Sequence, residues 1–388
     1  MTIYRAFERV GIEIEYAIVA RDDLACLPIA DWVLQTARAP MGLAWSNEFT
    51  AHVLELKTTE PPHSLAGLVQ PAQSAIAAMN RMLRDHGAQL MPGAMHPLLN
   101  PRDARPWVDD PHGIYAAYRR IFETSAHGFA NLQSIHINLP FADDEEFARL
   151  HEAVRLVLPI IPALAASSPV IEGRLAGAKD YRLIAYRDNA KEYPLVAGDI
   201  IPPRIATPAQ YHAQILDPLY DSLADADREG VLRHPWLNSR GAIPRFDRNA
   251  VEIRLTDTQE SVAADLAVAQ AIVGVVRRLY DDERLLRVSI ATETLVRILG
   301  DCMVKGEEAI ITAPDYLDML GSGSASSARA IWCLSLAGSE VEACAPLRAG
   351  TLATRLEKAL GDCPSMERIC GVYQELCDCL ERGTLFRA

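Results

Sequence analysis

Four glutamates stand inside runs whose alternation is that of β-strands. Glu13 and Glu15 fall in VGIEIEYAI (10–18), Glu55 in HVLELKT (52–58) and Glu252 in VEIRLT (251–256). Glutamate is depleted from strand interiors, so its repetition there asks for a reason. Residues two apart on a strand point to the same side, which puts Glu13 and Glu15 roughly 7 Å apart at about 3.3 Å per residue. His136, in SIHINL (134–139), and Arg254 sit on the polar faces of their own runs. If these faces belong to one sheet, carboxylates and an imidazole converge on one surface, and such a group repels itself unless cations neutralise it. Oxygen ligands with one histidine suit Mg²⁺ or Mn²⁺ better than zinc. The alternative is a solvated sheet face without chemistry. Two features favour the metal: the charges are mostly acidic, and Arg254, two residues from Glu252, could meet a phosphate beside it.

The elements that would position these groups follow from periodicity. Val10, Ile12, Ile14, Tyr16 and Ile18 alternate with Gly11, Glu13, Glu15 and Ala17. A weaker run, 52–58, sets Leu54 and Leu56 against Val53, Glu55 and Lys57. In 132–140, Ile135, Ile137 and Leu139 alternate with Ser134, His136 and Asn138; in 251–256, Val251, Ile253 and Leu255 alternate with Glu252, Arg254 and Thr256. Each run is apolar on one face, as in an antiparallel sheet. Helical patterns fill 64–86, ending at Gly87, then a segment capped by Asp143 or Asp144 and broken at Pro159 and Pro162, then 260–280 and windows near 286–300, 325–337 and 365–381. Without a βαβ rhythm the class is α+β. We read 1–388 as one catalytic domain, with a strand-bearing part (8–258) and a helical part (259–388).

Composition removes several function classes. The 388 residues carry 38 basic and 51 acidic side chains, a net charge of −13. That disfavours nucleic acid and anionic membrane as partners. Arg5, Glu8, Arg9 and Glu13 interrupt any signal-peptide core, and Pro159, Pro162 and Pro169 break the longest charge-free apolar stretch, Leu156–Ile171. A cytoplasmic protein is expected. Seven of eight cysteines lie after residue 300, without a paired C-x-x-C, and read as small buried thiols rather than a zinc or redox site. His96, His112 and His127 read as surface or capping residues, and Trp32, Trp45 and Trp107 as core-edge packing. No G-x-x-x-x-G-K-[ST], G-x-G-x-x-G or G-x-S-x-G motif occurs.

Five segments carry a resemblance. GIEIEY (11–16) resembles the G-x-E-x-E-[FY] opening strand of the glutamate–cysteine ligase family and its bacterial carboxylate–amine ligase relatives. LELKT (54–58) resembles V-E-[LI]-[KR]-T, SIHINL (134–139) resembles H-x-H-[VI], and VEIRLTD (251–257) resembles V-E-[VI]-R. LPIIPALAASSPVIEGRLAGAKDYR (158–182) resembles the helix L-P-x-L-x-A-L-S-A-x-S-P that leads to an S-[YS]-R arginine. Order and rough spacing agree over about 8–260.

The resemblance implies a funnel-like curved antiparallel sheet with packed helices, related to glutamine synthetase and the guanidino kinases. It implies ATP with Mg²⁺ or Mn²⁺, and metal ligands at Glu13, Glu15, Glu55, His136 and Glu252, with Glu48, seven before Glu55, as a further acidic ligand. Arg254 resembles the arginine that meets ATP phosphates. Arg182 resembles one facing a substrate carboxylate or phosphoryl group, and Arg187, in a charged stretch, could also reach substrate. The implied reaction is ATP-dependent ligation of a small carboxylic acid and an amine through an acyl phosphate: a γ-glutamyl amide from glutamate with cysteine or another amine. A guanidino-kinase-like phosphotransferase and a non-catalytic nucleotide- or metal-binding relative are the alternatives, and a homo-oligomer is left open. Ser134 for the first histidine of H-x-H, Asn138-Leu139 for V-G, and Lys179-Asp180-Tyr181 before the arginine depart from the pattern where substrate should sit. A closing loop is expected at 321–327 (GSGSASS) or in 193–208.

Overall fold

Strand β1 (Gly11–Ala20) is the axis of a seven-stranded antiparallel sheet that also contains β2 (Leu43–Asn47), β3 (Val53–Thr58), β4 (Ala88–Met91), β5 (Ser134–Pro140), β6 (Ala242–Arg245) and β7 (Ala250–Asp257). The computed structural model describes residues 2–339 and 345–388. Six strands run in the order β2-β3-β1-β5-β7-β6. β3 pairs with β1 over residues 13–17, β5 over 11–14 and β4 over 17–20. Ala17 pairs with both Val53 and Met91, and Glu13 with both Lys57 and His136. A residue has only two edges, so β4 and β5 share the edge of β1 opposite β3, one at each end.

The α+β class and the antiparallel sheet expected from the alternation are observed. Three strands were not anticipated. β2 has no clean alternation, β4 has four residues, and β6 carries Pro244. That proline is tolerated because β6 is the edge strand, where a missing N–H breaks no ladder.

The apolar face of β1, with Ile12, Ile14, Tyr16 and Ile18, packs into the main core with Ile135, Ile137, Val251 and Ile253. Helices α1 (Val69–Arg84), α3 (Asp144–Val157) and α5 (Val262–Asp281) contribute the opposing layer. Asp143 caps α3 by accepting from the Glu146 N–H, and three acidic residues in the first turn face the positive helix end. α3 stops at Val157. Pro159 then lies in a short 3₁₀ turn and Pro162 opens a separate four-residue helix. Ser261 caps α5 through the Ala264 N–H. Each fully buried Leu or Ile in this layer contributes about 1.5–3 kcal/mol.

The other face of β1 changes character along its length. Past Glu13 and Glu15 it becomes apolar at Ala17 and Val19. These two join Met91 and Val170 in a second core with α6 (Leu352–Leu360) and α7 (Met366–Arg382). The helical C-terminal part thus covers one end of the same sheet face whose other end is acidic. Cys377 and Cys379 are buried in this second core and, with the other described cysteines, are free thiols. Cys344 lies outside the described residues. A third, smaller core joins Ala117 and Ile121 of α2 (Ile114–Ile121) to Leu219, Leu232 and Leu237. Tyr118, Phe129 and Trp236 pack against it and overhang the acidic end of the sheet.

No described helix is long and apolar enough to cross a membrane.

Candidate active site

The acidic face is a lined cleft, not a wet surface. Relative exposure is 6% at Glu15, 4% at Glu55, 2% at Glu252 and 8% at His136. That overturns the solvated-face alternative. The cleft holds about 280 Å³ and is lined by Glu13, Glu15, Glu48, Glu55, His136, Glu252, Arg182 and Arg254, together with an aromatic wall.

Strand register explains the convergence. Glu15 pairs directly with Glu55 across β1 and β3, and Glu13 with His136 across β1 and β5. One carboxylate oxygen each from Glu13 and Glu55 and one ring nitrogen of His136 lie within 4.8 Å of one another, as do one carboxylate oxygen each from Glu15, Glu48 and Glu55. Glu48 comes from the segment just after β2 and reaches over β3 to Glu55. Like charges directly opposed on neighbouring strands destabilise a sheet. Burial pushes Glu48 well above the ordinary carboxylate range, and the charges of Glu15 and Glu55 push it further. Burial likewise raises Glu15, against the pull of His136. Buried carboxylates in this state either take up protons or bind a cation.

Local partners share part of the charge. Burial raises Glu13 too, yet the hydrogen bond and charge of His136, with Lys57 and Arg254, hold it at about 2. Burial alone would lower His136; Glu13, Glu15 and Glu252 raise it above its ordinary value. The His136 Nδ1 lies 3.2 Å from Glu13 Oε2, and its Nε2 3.0 Å from Ser134 Oγ. Ser134, where the resembled motif has a histidine, donates its backbone N–H to Glu15 Oε2 at 2.8 Å. Lys57 Nζ and Ser46 Oγ both donate to Glu55 Oε1, at 2.8 and 2.7 Å.

Glu252 lines the cleft but belongs to neither close group. It is occupied by two arginines: Arg245 Nη1 at 2.9 Å and Arg254 Nε at 3.2 Å. Arg245 went unrecognised in the sequence because Pro244 hides its strand; in the hairpin it falls diagonally across from Glu252. A register shift between β5 and β7 opposite His136 also went unseen, since β7 carries one more residue there than β5.

Arg182 is almost fully buried at the start of α4 (Tyr181–Asp188), with its Nε on the Asp257 carboxylate. Asp257 accepts at Oδ2 from the Ser167 N–H at 2.8 Å and the Ser168 hydroxyl at 3.0 Å. Burial would lower Arg182, but Asp257 and Asp180 raise it, so the guanidinium is charged. Arg254 is also held charged, against burial, by the carboxylates of Glu252 and Glu15. Arg187 is not part of the lining. It lies on the outer side of α4, exposed, with its Nε 3.0 Å from Asp188, because one residue past Tyr186 a helix turns by about 100°.

Other expectations also shift. His96 is buried, with Nε2 2.7 Å from the Leu24 carbonyl, and is no surface residue. Residues 321–327 do not line the cleft; Ser326–Ser327 pair with Ile310–Ile311 instead. No residue of 193–208 lines the cleft either; the Val196 carbonyl accepts from the N–H of Ser239, which does. The aromatic wall of Phe49, Tyr118, Phe129, Tyr186 and Trp236 had no sequence signal, because its members come from five separate segments.

A family model described as glutamate–cysteine ligase family 2 matches residues 9–312, more than three-quarters of the chain and every strand of the sheet. The chain belongs to glutamate–cysteine ligase family 2. It is 31% identical over 390 residues to an uncharacterized protein of Archaeoglobus fulgidus, covering 97% of this chain and all of that one. It is 27% identical to a Rubrobacter xylanophilus protein named "Putative glutamate–cysteine ligase 2-3", over 71% of this chain and 72% of the other. In fold it is similar to a crystal structure of glutamate–cysteine ligase from Francisella tularensis in complex with AMP, with a TM-score of 0.61 at 13% identity, covering 97% and 90% of the two chains. A bifunctional glutathione synthetase from Pasteurella multocida gives a TM-score of 0.59 at 14% identity, over 97% of this chain and 52% of that one. Family and fold together support a ligase of the carboxylate–amine class.

Proposed function

We propose that this family member joins a carboxylic acid to an amine with ATP through an acyl phosphate. The acid is glutamate or a similar amino acid, and the amine is cysteine or another amino compound. One observation carries the reading: two clusters of buried and half-buried ligand groups, Glu13 and His136 in one and Glu15 and Glu48 in the other, share Glu55, and the cationic Arg254 and Arg182 line the same cleft. The Francisella relative's fold, seen with AMP, supports nucleotide use.

The donor set fits divalent ions. Five carboxylates and one imidazole are mostly oxygen ligands, and added positive charge would offset the burial and like-charge repulsion that raise Glu15 and Glu48. Glu13, Glu15, Glu48, Glu55 and His136, with Glu252 at the edge, would hold Mg²⁺ or Mn²⁺. When bound, the ions neutralise phosphate charge.

The chain's own groups do the rest. The acid's carboxylate oxygen attacks the γ-phosphorus of ATP, the bond to the ADP oxygen breaks, and acyl phosphate and ADP result. The neutral amine then attacks the acyl carbon and phosphate leaves, with one proton released. Arg254 supplies fixed positive charge on the phosphoryl side, and Arg182, oriented by Asp257, supplies it on the acid side. The aromatic wall keeps water from the acyl phosphate.

The test is ADP release with Mg²⁺ and ATP against amino acids, singly and in pairs. Release that needs an acid and rises with one amine names both substrates. Bound Mg²⁺–ATP without release for any pair would overturn the reading in favour of a phosphotransferase or a non-catalytic relative.

A further inference from the structure

Ser134 stands where the resembled motif has a histidine, and its side chain is tied to both neighbours that matter. It is 5% exposed, beside His136 at 8%. Its backbone N–H donates to Glu15 Oε2 at 2.8 Å, and its hydroxyl donates to the same oxygen at 3.3 Å. Its Oγ lies 3.0 Å from His136 Nε2. A hydroxyl has one hydrogen and two lone pairs. With that hydrogen on Glu15, Oγ presents a lone pair to the ring, so Nε2 must carry the hydrogen between them. The reverse assignment, hydroxyl to Nε2, sets Oγ and the acceptor Oε2 face to face with no hydrogen between them. At the other end of the ring, Nδ1 lies 3.2 Å from Glu13 Oε2.

A neutral imidazole has one N–H and one lone pair. Held on Nε2, the hydrogen leaves the lone pair on Nδ1, the nitrogen on the Glu13 side. The close groups of ligand atoms among the described residues agree: His136 joins Glu13 and Glu55, not Glu15 and Glu48. Nε2 is 3.8 Å from Glu15 Oε1, so proximity alone does not withhold it. The two groups then differ in chemistry. One offers two carboxylates and an imidazole nitrogen, the other three carboxylates. Nitrogen favours a first-row transition ion over Mg²⁺, which is held through oxygen.

We propose that Ser134 is a positioning residue that keeps the hydrogen of His136 on Nε2 and so gives the imidazole to the Glu13–Glu55 group alone. That group takes Mn²⁺ in preference to Mg²⁺, and Glu15, Glu48 and Glu55 form an all-oxygen site. The inference rests on the divalent-ion part of the proposed function and is independent of which acid and amine are joined. The backbone N–H of residue 134 supports Glu15 whatever the side chain, so the hydroxyl can be removed with that bond kept.

The experiment loads the whole protein with metal alone, without nucleotide or substrate. Nitrogen NMR of protein labelled at histidine, with Zn²⁺ as a diamagnetic probe and His136→Gln to assign the signal, reads which ring nitrogen keeps its hydrogen. Hydrogen on Nε2 and metal on Nδ1 are expected; metal on Nε2 overturns the proposal. Calorimetry then gives Mn²⁺ and Mg²⁺ affinities. Ser134→Ala is expected to weaken the tighter Mn²⁺ site by about tenfold and Mg²⁺ binding by less than about threefold, the scale for losing a partner of a ligating histidine. Ser134→Thr, which keeps the hydroxyl, is expected to stay within about threefold of wild type for both ions. Unchanged Mn²⁺ affinity in Ser134→Ala, or Ser134→Thr as weak as Ser134→Ala, overturns the proposal. If Ser134→Ala does not fold, the NMR of the wild type and the affinities of Ser134→Thr decide. The expected metal results without ADP release for any substrate pair remove the ligase and leave the assignment of Ser134. ADP release with Mn²⁺ and Mg²⁺ bound alike removes the assignment and leaves the ligase. Failure of the wild type to bind Mn²⁺ overturns the proposal together with the metal reading of the cleft.

Discussion

Glu13 and His136 are register partners across β1 and β5, with Glu13 Oε2 3.2 Å from His136 Nδ1. Each holds the other charged, and the signs follow. Glu13 is depressed from 4.5 to about 2, so its contribution to stability is present above pH 4.5 and is lost as pH falls toward 2. His136 is raised above 6.5, so its contribution is full below pH 6.5 and is lost as pH rises through the raised value. In metal-free protein the pair therefore stabilises most between about pH 4.5 and 6.5.

A histidine that binds metal must give up its proton. Mn²⁺ binding at pH 6.5 is expected to release a proton, and to release less as pH rises. Calorimetry in two buffers of different ionisation enthalpy reads this directly. Heats that are the same in both buffers would exclude His136 as a ligand.

Glu13→Gln keeps the shape of the side chain and removes its charge. Turnover is expected to fall by roughly a hundredfold or more, with circular dichroism and a cooperative melt retained. Near-wild-type rates would show that the β1 carboxylates bind no catalytic metal.

Arg254 lies at the cleft edge and is partly exposed. Arg254→Ala is expected to abolish ADP release while calorimetric binding of the acid stays within a few-fold. Loss of the folded state instead would assign Arg254 a structural role through Glu252.

Asp257 is the counterion that fixes Arg182, and both are buried. Asp257→Asn leaves a buried guanidinium without its partner. Unfolding in urea is expected to show a loss of about 3 kcal/mol, and the KM for the acid should rise as Arg182 loses its fixed direction.

His151 is fully buried on α3, beside the Phe147 and Tyr211 rings, and neither ring nitrogen has a hydrogen-bond partner among the described residues. Burial, with Arg155 nearby, lowers it from 6.5 to about 3. Stability from this group is therefore present above pH 6.5 and is lost as pH falls toward 3. His151→Leu removes that dependence. The variant is expected to gain about 2 kcal/mol on wild type between pH 7 and pH 5, measured as urea midpoints at the two values.

How far the sequence reaches is clearest strand by strand. β1, β3, β5 and β7 were legible because each sets apolar side chains on one face against polar ones on the other, and a period of two records that in the order of residues. Their glutamates, His136 and Arg254 were legible for the same reason, since such charges are out of place in a strand. β6 was hidden by a proline that only an edge position tolerates, and Arg245 was hidden with it. Arg187 was placed near substrate by its neighbourhood in the chain. The turn of α4 sends it outward and instead brings Tyr186 and Asn189 to the cleft.

The sequence by itself determined which groups could hold cations and on which face of which strand they lie. Alternation is a local consequence of backbone geometry, so it is written locally. The tertiary structure decided which strands are neighbours. It set Glu15 against Glu55 and Glu13 against His136, closed the apolar end of the face with α6 and α7, and gathered Phe49, Tyr118, Phe129, Tyr186 and Trp236 over the acids. Those contacts join residues tens to hundreds of positions apart. They follow from register and from the burial of three cores at once, which no window of sequence records.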